Sequence, residues 1–210
     1  MTEETMNTAS TSTSIDEATF AMMTPYDQMK TLLRAEMADK PFSELFSVTF
    51  DHRGAAVVGH LLLDTLEEQG YSIDDFDAVG ALTAAAVPLV GAMVQAAASR
   101  GEDLDGFVMD FVYPSVKGPS IANKRVILLD SWLSEKSYVQ TSSLVTLRNG
   151  NELSLDFGVV EAQNAQVVAI ASLIGGVDMT EPTITVVNPV NGESHALPFI
   201  EVFHESDLKA

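Results

Sequence analysis

Apolar positions along the chain recur with two periods, and the period changes repeatedly from one segment to the next. Tyr26, Met29, Leu32, Leu33 and Met37 fall at helical spacing behind Thr24-Pro25, where a capping hydroxyl precedes a proline at the first helical position. That pattern predicts a helix ending near Asp39-Lys40-Pro41. Residues 42–50 alternate, broken at Leu45 and Phe46, and predict a short strand. Ala55, Val58, Leu61, Leu62 and Leu66 predict a second helix over 54–69 that Gly70 stops. Residues 78–82 read as a short buried strand, 83–88 as a small-residue turn, and 89–99 as a helix with Pro88 near its start.

The second half continues the alternation. Residues 107–113 predict a strand, 114–124 a turn-rich connection, and the apolar run from Arg125 to Asp130 a buried strand that opens into a polar loop. A helix is predicted over 138–149, a strand over 152–160, and a helix over 163–174 ended by Gly175-Gly176. Residues 183–187 and 197–203 flank an Asn-Gly turn signal and predict a terminal hairpin. Strands alternating with helices place the chain in the α/β class, with a mainly parallel central sheet, helices on both faces and a C-terminal β-hairpin. The first 23 residues, acidic and rich in Ser and Thr, are expected to be a disordered tail, leaving one domain over 24–210.

Charge narrows the function. Thirty Asp and Glu against eleven Lys and Arg give a net charge of −19, which disfavours nucleic acid and anionic membrane surfaces. The absence of cysteine removes disulfides, thiolate metal sites and cysteine nucleophiles. No basic n-region precedes an apolar run at the N-terminus, and the Ala-rich run at 81–98 is interrupted by Thr83, Pro88 and Gln95, so neither export nor a membrane span is expected, and a cytoplasmic location is. His52, His60, His195 and His204 lack ligand spacing, and no metal site is expected of them.

In an open α/β sheet, ligands sit beyond the carboxyl ends of the strands, which directs attention to the end of the run at 125–130. Asp130 there is either a ligand-orienting carboxylate or a loop cap, Trp132 either stacks on a ligand or anchors packing, and Thr83 either lends a hydroxyl to an anion or finishes its turn. The segments Val126-Ile-Leu-Leu-Asp130-Ser131 with Ser134-Glu-Lys136-Ser137, Val79-Gly-Ala81-Leu82-Thr83-Ala84, Asp51-His-Arg53 and Leu197-Pro-Phe-Ile-Glu-Val-Phe203 resemble motifs of type I phosphoribosyltransferases. The resemblance is to orotate phosphoribosyltransferases in particular. It implies a ribose and phosphate loop formed by Asp130, Ser131, Ser134, Lys136 and Ser137, a pyrophosphate turn formed by Ala81, Leu82, Thr83 and Ala84, a homodimer, and Mg²⁺ if the chain is active.

Departures from that pattern carry their own expectation. Ser131 replaces the second acid of the family's pair, Trp132 and Leu133 are bulky where small polar residues belong, and Glu135 falls where the phosphate lies. Asp110 and Phe111 stand where the family carries cations that stabilise the leaving group. Lys117, Lys124, Arg125 and Lys136 are the cations expected near the site and are candidates for anion contacts. These features predict a non-catalytic or strongly altered member of the family that binds a nucleotide or sugar phosphate. The alternatives are a divergent active phosphoribosyltransferase of nucleotide metabolism and a structural or assembly protein whose cleft is filled by Trp132 or Leu133.

Overall fold

The structure is a computed structural model that describes residues 16–110, 115–134, 146–148, 152–154, 158–176, 180, 182–188 and 191–209. A short helix α1 (Glu17–Ala21) is capped by the Asp16 carboxylate, which accepts from the Thr19 amide, and it buries Phe20 against the helical core. Residues 16–23 of the expected leader thus include packed chain, because the Phe20 side chain supplies apolar surface to bury. Helix α2 (Pro25–Glu36) starts as predicted, with Thr24 accepting from the Asp27 amide and Pro25 in the first turn. Residues 42–50 are not a strand. They form a 3₁₀ turn (Phe42–Glu44) and a four-residue helix, α3 (Phe46–Thr49), since Leu45 and Val48 are the apolar residues buried, with Thr49 beside them, and their spacing is helical.

Helix α4 (His52–Glu68) is capped by Asp51, whose carboxylate also takes the Arg53 guanidinium at 3.0 Å. That pairing holds the Asp51 carboxyl below the usual range. After β1 (Ala78–Ala81) and a 3₁₀ turn (Ala84–Ala86) comes α5 (Val87–Arg100). Gly59 of α4 lies so close to α5 that an added Cβ would sit 2.1 Å from the Ala92 carbonyl oxygen, which fixes the packing of the two helices.

The remaining elements are β2 (Asp105–Asp110), β3 (Ser115–Lys117), β4 (Arg125–Ser134), β5 (Thr146–Arg148), β6 (Glu152–Ser154), α6 (Gly158–Glu161), β7 (Gln166–Gly176), β8 (Thr183–Val187), β9 (Ser194–His204) and α7 (Glu205–Leu208). The sheet order is β3-β2-β1-β4-β7-β9-β8-β6-β5, with β2, β1, β4, β7 and β9 mutually parallel. Helices α2, α4 and α5 cover one face with Val79, Ala81, Ile127, Leu129, Ala169 and Ala171. The other face buries Val126, Leu128, Ile170 and Phe199 beneath Ile121, α6 and the β8–β9 hairpin.

Two predicted helices are corrected. The run over 163–174 is β7, whose residues from Ala169 to Gly175 are all buried. An apolar run buried on both faces of a parallel sheet loses the alternation that identifies a strand. Thr146–Arg148, expected within a helix, is the strand β5 antiparallel to β6; the rest of that predicted helix lies outside the described residues. The strand predicted over 152–160 divides into β6 and α6, and the connection at 114–124 contains β3, antiparallel to β2. The hairpin of β8 and β9 forms as expected, and β9 also joins the parallel sheet beside β7.

Candidate functional site

The turn that leaves β1 meets the middle of β4 at Thr83 and Asp130. Leu82 donates its amide to the Leu129 carbonyl at 2.9 Å, so the chain leaving β1 is still tied to β4 when it reaches Thr83. The Thr83 hydroxyl then donates to Asp130 Oδ1 at 3.0 Å, and the Ser131 amide donates to the same oxygen at 2.7 Å. Asp130 is 3% exposed, and burial pushes its carboxyl up to about 6, partly offset by these hydrogen bonds. The proton affinity follows from a carboxylate removed from water whose donors among the described residues are neutral.

Around Asp130 the strand changes its side-chain alternation. Ile127 and Leu129 belong to the helix-covered core and Leu128 to the opposite one; past Asp130 the order reverses, with Trp132 against the helices and Leu133 opposite. On β7 the neighbouring Ser172 donates its hydroxyl to the Ile174 carbonyl at 2.9 Å, inside the strand. Both strands nevertheless continue: Trp132, Leu133 and Ser134 stay in register with Ile174, Gly175 and Gly176.

This overturns the loop expected after Asp130. Ser131 and Ser134 are buried strand residues, 4% and 1% exposed, and the strand runs through the positions where a phosphate-binding backbone was expected to begin. Two buried carboxylates press against the extension. A Cβ on Gly175 would meet Glu201 Oε2 at 1.8 Å, and one on Gly176 would meet Glu205 Oε1 at 2.5 Å, so only glycine lets β7 pass beside them. Glu201 accepts or shares a proton with His204 Nδ1 at 2.9 Å, its Oε2 is buried without a hydrogen-bond partner among the described residues, and burial raises its proton affinity. Glu205 Oε1 accepts the Trp132 indole N–H at 2.8 Å, and Lys209 approaches Oε2 at 3.5 Å.

Trp132 is a packing anchor: its ring meets Phe42 edge-on at a centroid distance of 5.9 Å. Ala81 and Leu82 are buried in the core, Ala84 is exposed, and of the four pyrophosphate-turn candidates Thr83 alone bonds Asp130. Lys136 and Ser137 lie outside the described residues.

The expected gathering of cations does not occur among the described residues. Arg125 opens β4, and Asp130 lies five residues along the strand, roughly 16 Å away at ~3.3 Å per residue. Its guanidinium and amide engage Asp77, with the amide contact at 2.8 Å, and hold that carboxyl below the usual range. Lys124 pairs with Asp105, also at the amino end of the strands. Lys117 lies on the edge strand β3, 3.9 Å from Asp110.

Among the described residues no three His, Cys, Asp or Glu converge as metal ligands, and no helix is long and apolar enough to cross a membrane. Mg²⁺ in nucleotide sites takes one or two carboxylates together with substrate phosphates. A buried Asp130 whose Oδ1 already accepts two hydrogen bonds fits that role poorly.

The parallel order of β2, β1, β4, β7 and β9, with the acid-bearing β4 at its centre and the hairpin closing one side, defines the class of architecture: the chain has the fold of the type I phosphoribosyltransferases. Within that class it is similar to orotate phosphoribosyltransferases. Those of Streptomyces avermitilis and Streptomyces coelicolor are each 32% identical over 139 residues, a match covering 63% of this chain and 66% of each relative, just under two thirds of its length. No family model matches the chain. Among solved structures, Mycobacterium tuberculosis orotate phosphoribosyltransferase in complex with 5-phospho-alpha-D-ribosyl 1-diphosphate superposes with a TM-score of 0.56 at 19% identity, over 90% of this chain and 94% of that one. A phosphoribosyltransferase from Corynebacterium diphtheriae gives 0.55 at 19% identity, over 90% of this chain and 100% of that one.

Proposed function

We propose that the protein retains the phosphoribosyltransferase fold while having lost or strongly altered the transfer reaction, and that its remaining ligand is a nucleotide or sugar phosphate. The observation that carries this reading is the continuation of β4 through Ser134 in register with Gly176. A phosphate cradle needs backbone N–H groups that converge on one point, and a β ladder directs them sideways into the sheet. The single buried Asp130 and the placement of Lys124 and Arg125 at the far end of β4 support the same conclusion.

The complex of the Mycobacterium tuberculosis relative with its sugar diphosphate makes that compound the ligand to try first. Calorimetric titration of the full chain with phosphoribosyl diphosphate and Mg²⁺, paired with assays of pyrophosphate release across orotate and the purine and pyrimidine bases, decides the matter. Saturable binding without base-dependent release is the expected result.

Identity of 32% to orotate phosphoribosyltransferases favours a second reading, a divergent active enzyme using phosphoribosyl diphosphate and Mg²⁺. Base-dependent pyrophosphate release would establish it and overturn the first. No binding at millimolar ligand would instead favour an assembly protein with a filled cleft, a role consistent with the complete burial of Leu133. The family resemblance further carries the expectation of a cytoplasmic homodimer, which sedimentation equilibrium and fractionation check.

A further inference from the structure

A groove of about 770 Å³ runs between the end of α2, Trp132 and α7. Its lining includes neither Asp130 nor Thr83, so its reading is independent of the function proposed above. The volume lies in the range that encloses a whole small ligand, roughly 300–1,000 Å³.

Leu33, Met37, Phe42, Trp132 and Leu208 supply its apolar walls. Leu33, Met37 and Leu208 also belong to the helix-side core, so the walls are backed by close packing. Met37 adds an adaptable side chain suited to a flexible tail.

The charge of the lining runs against that of the molecule. Arg34, Lys40 and Lys209 line the groove, three of the eleven Lys and Arg in a chain of net charge −19, against one carboxylate, Glu205. Glu205 is held by the Trp132 indole at 2.8 Å and approached by Lys209 at 3.5 Å. The Lys209 ammonium stands 5.7 Å from the centre of the Phe42 ring and its side chain is 59% exposed. Lys40 lies 3.6 Å from Glu36 with its side chain 44% exposed, and Arg34 donates to the Asp207 carbonyl at 2.8 Å. Both lysines thus keep donors available to a ligand at the rim.

We infer that this groove binds a monomeric amphipathic anion, its apolar tail laid between Met37, Phe42, Trp132 and Leu208 and its acidic head at Lys40 and Lys209. A sugar phosphate would leave the apolar walls uncovered, and a neutral hydrocarbon would leave the cations unused. The two requirements together select an anion with a tail.

Trp132 is the single tryptophan of the chain, so its emission reports on this groove directly. The full chain is titrated with decanoate below its micellar concentration, with decanol as the uncharged comparison. The expected result is a saturable change in Trp132 emission at one decanoate per chain, with decanol weaker by about 10-fold or more. The double variant Lys40→Glu with Lys209→Glu should bind decanoate about 10-fold more weakly or worse, and Lys40→Gln with Lys209→Gln, which adds no like charge beside Glu36 and Glu205, should weaken it in the same direction while the protein still melts cooperatively. Ala38→Phe, at an exposed position on the lining, should block binding while leaving the melting temperature in place. Absence of a saturable change, or decanol and the charge-reversed variant binding as well as the native pair, overturns the inference. Phosphoribosyl diphosphate is tested in a separate titration on other residues, so failure of either result leaves the other intact.

Discussion

The Thr83 hydroxyl donates to Asp130 Oδ1 at 3.0 Å, joining the turn after β1 to the middle of β4 across 47 positions of sequence. Two groups that the family resemblance assigns to a ligand contact each other. That relationship sets the chemistry at this end of the sheet and determines its response to pH.

Asp130→Asn should change the pH dependence of stability. The folded carboxyl is raised from 3.8 to about 6 by burial, so the folded state holds its proton more tightly than the unfolded chain. Below 3.8 the carboxyl is protonated in both states and costs nothing; as pH rises through about 6 the cost of the buried charge develops fully. The native protein should therefore lose stability relative to the variant across that window, by on the order of 3 kcal/mol. Urea unfolding of both proteins between about pH 4 and pH 7.5 measures the difference, and a flat difference would contradict the assignment.

Thr83→Val keeps the side-chain shape and removes the donor. It should cost ~1–3 kcal/mol where Asp130 is ionised and less where it is protonated. Unfolding at about pH 8 and pH 5 tests this, and Thr83→Ser should recover most of the loss.

Gly175→Ala should destabilise by ~1–3 kcal/mol through overpacking, since its Cβ would lie 1.8 Å from Glu201 Oε2 and 2.9 Å from Glu201 Cβ. Combining it with Glu201→Ala removes the carboxylate, the closest obstruction, and leaves only the contact with Cβ at 2.9 Å. The double-mutant cycle should show a coupling of at least ~1 kcal/mol by thermal melting; additive effects would mean that the two residues do not oppose each other.

Trp132→Phe retains an aromatic ring beside Phe42 and deletes the indole N–H that serves Glu205. A loss of ~1–3 kcal/mol is expected for removing a donor from a buried carboxylate. Pairing it with Glu205→Leu, which removes the carboxylate as well, should reduce that loss; chemical denaturation of the single and double variants provides the comparison.

The local codes read well where they are self-contained. Thr24-Pro25 capped its helix as expected, Asp51 began α4, and the β8–β9 hairpin formed around its Asn-Gly turn. The strands at 78–82 and from Arg125 were also legible, since short apolar runs bounded by polar residues have few alternatives. The misreadings share a cause. Residues 167–174 are apolar but for Ser172 and show no alternation, a pattern that a fully buried strand and a buried helix both produce, and the neighbouring strands decide between them. The buried partnership of Trp132 with Glu205, 73 positions apart, left no local signal beyond the bulk of the indole.

The sequence by itself determined the class of fold, the importance of the segment around Asp130 and its departure from the family pattern, because those rest on residue types and on periods read over a few turns. Tertiary structure decided what that segment became. Pairing with β7 carried the strand past Asp130, Gly175 and Gly176 admitted the two glutamates beside it, and the parallel register placed Lys124 and Arg125 at the opposite end of β4. Each of these is a contact between residues distant in the chain. Whether a polar segment becomes a ligand loop or a buried strand depends on which backbone arrives to take its hydrogen bonds.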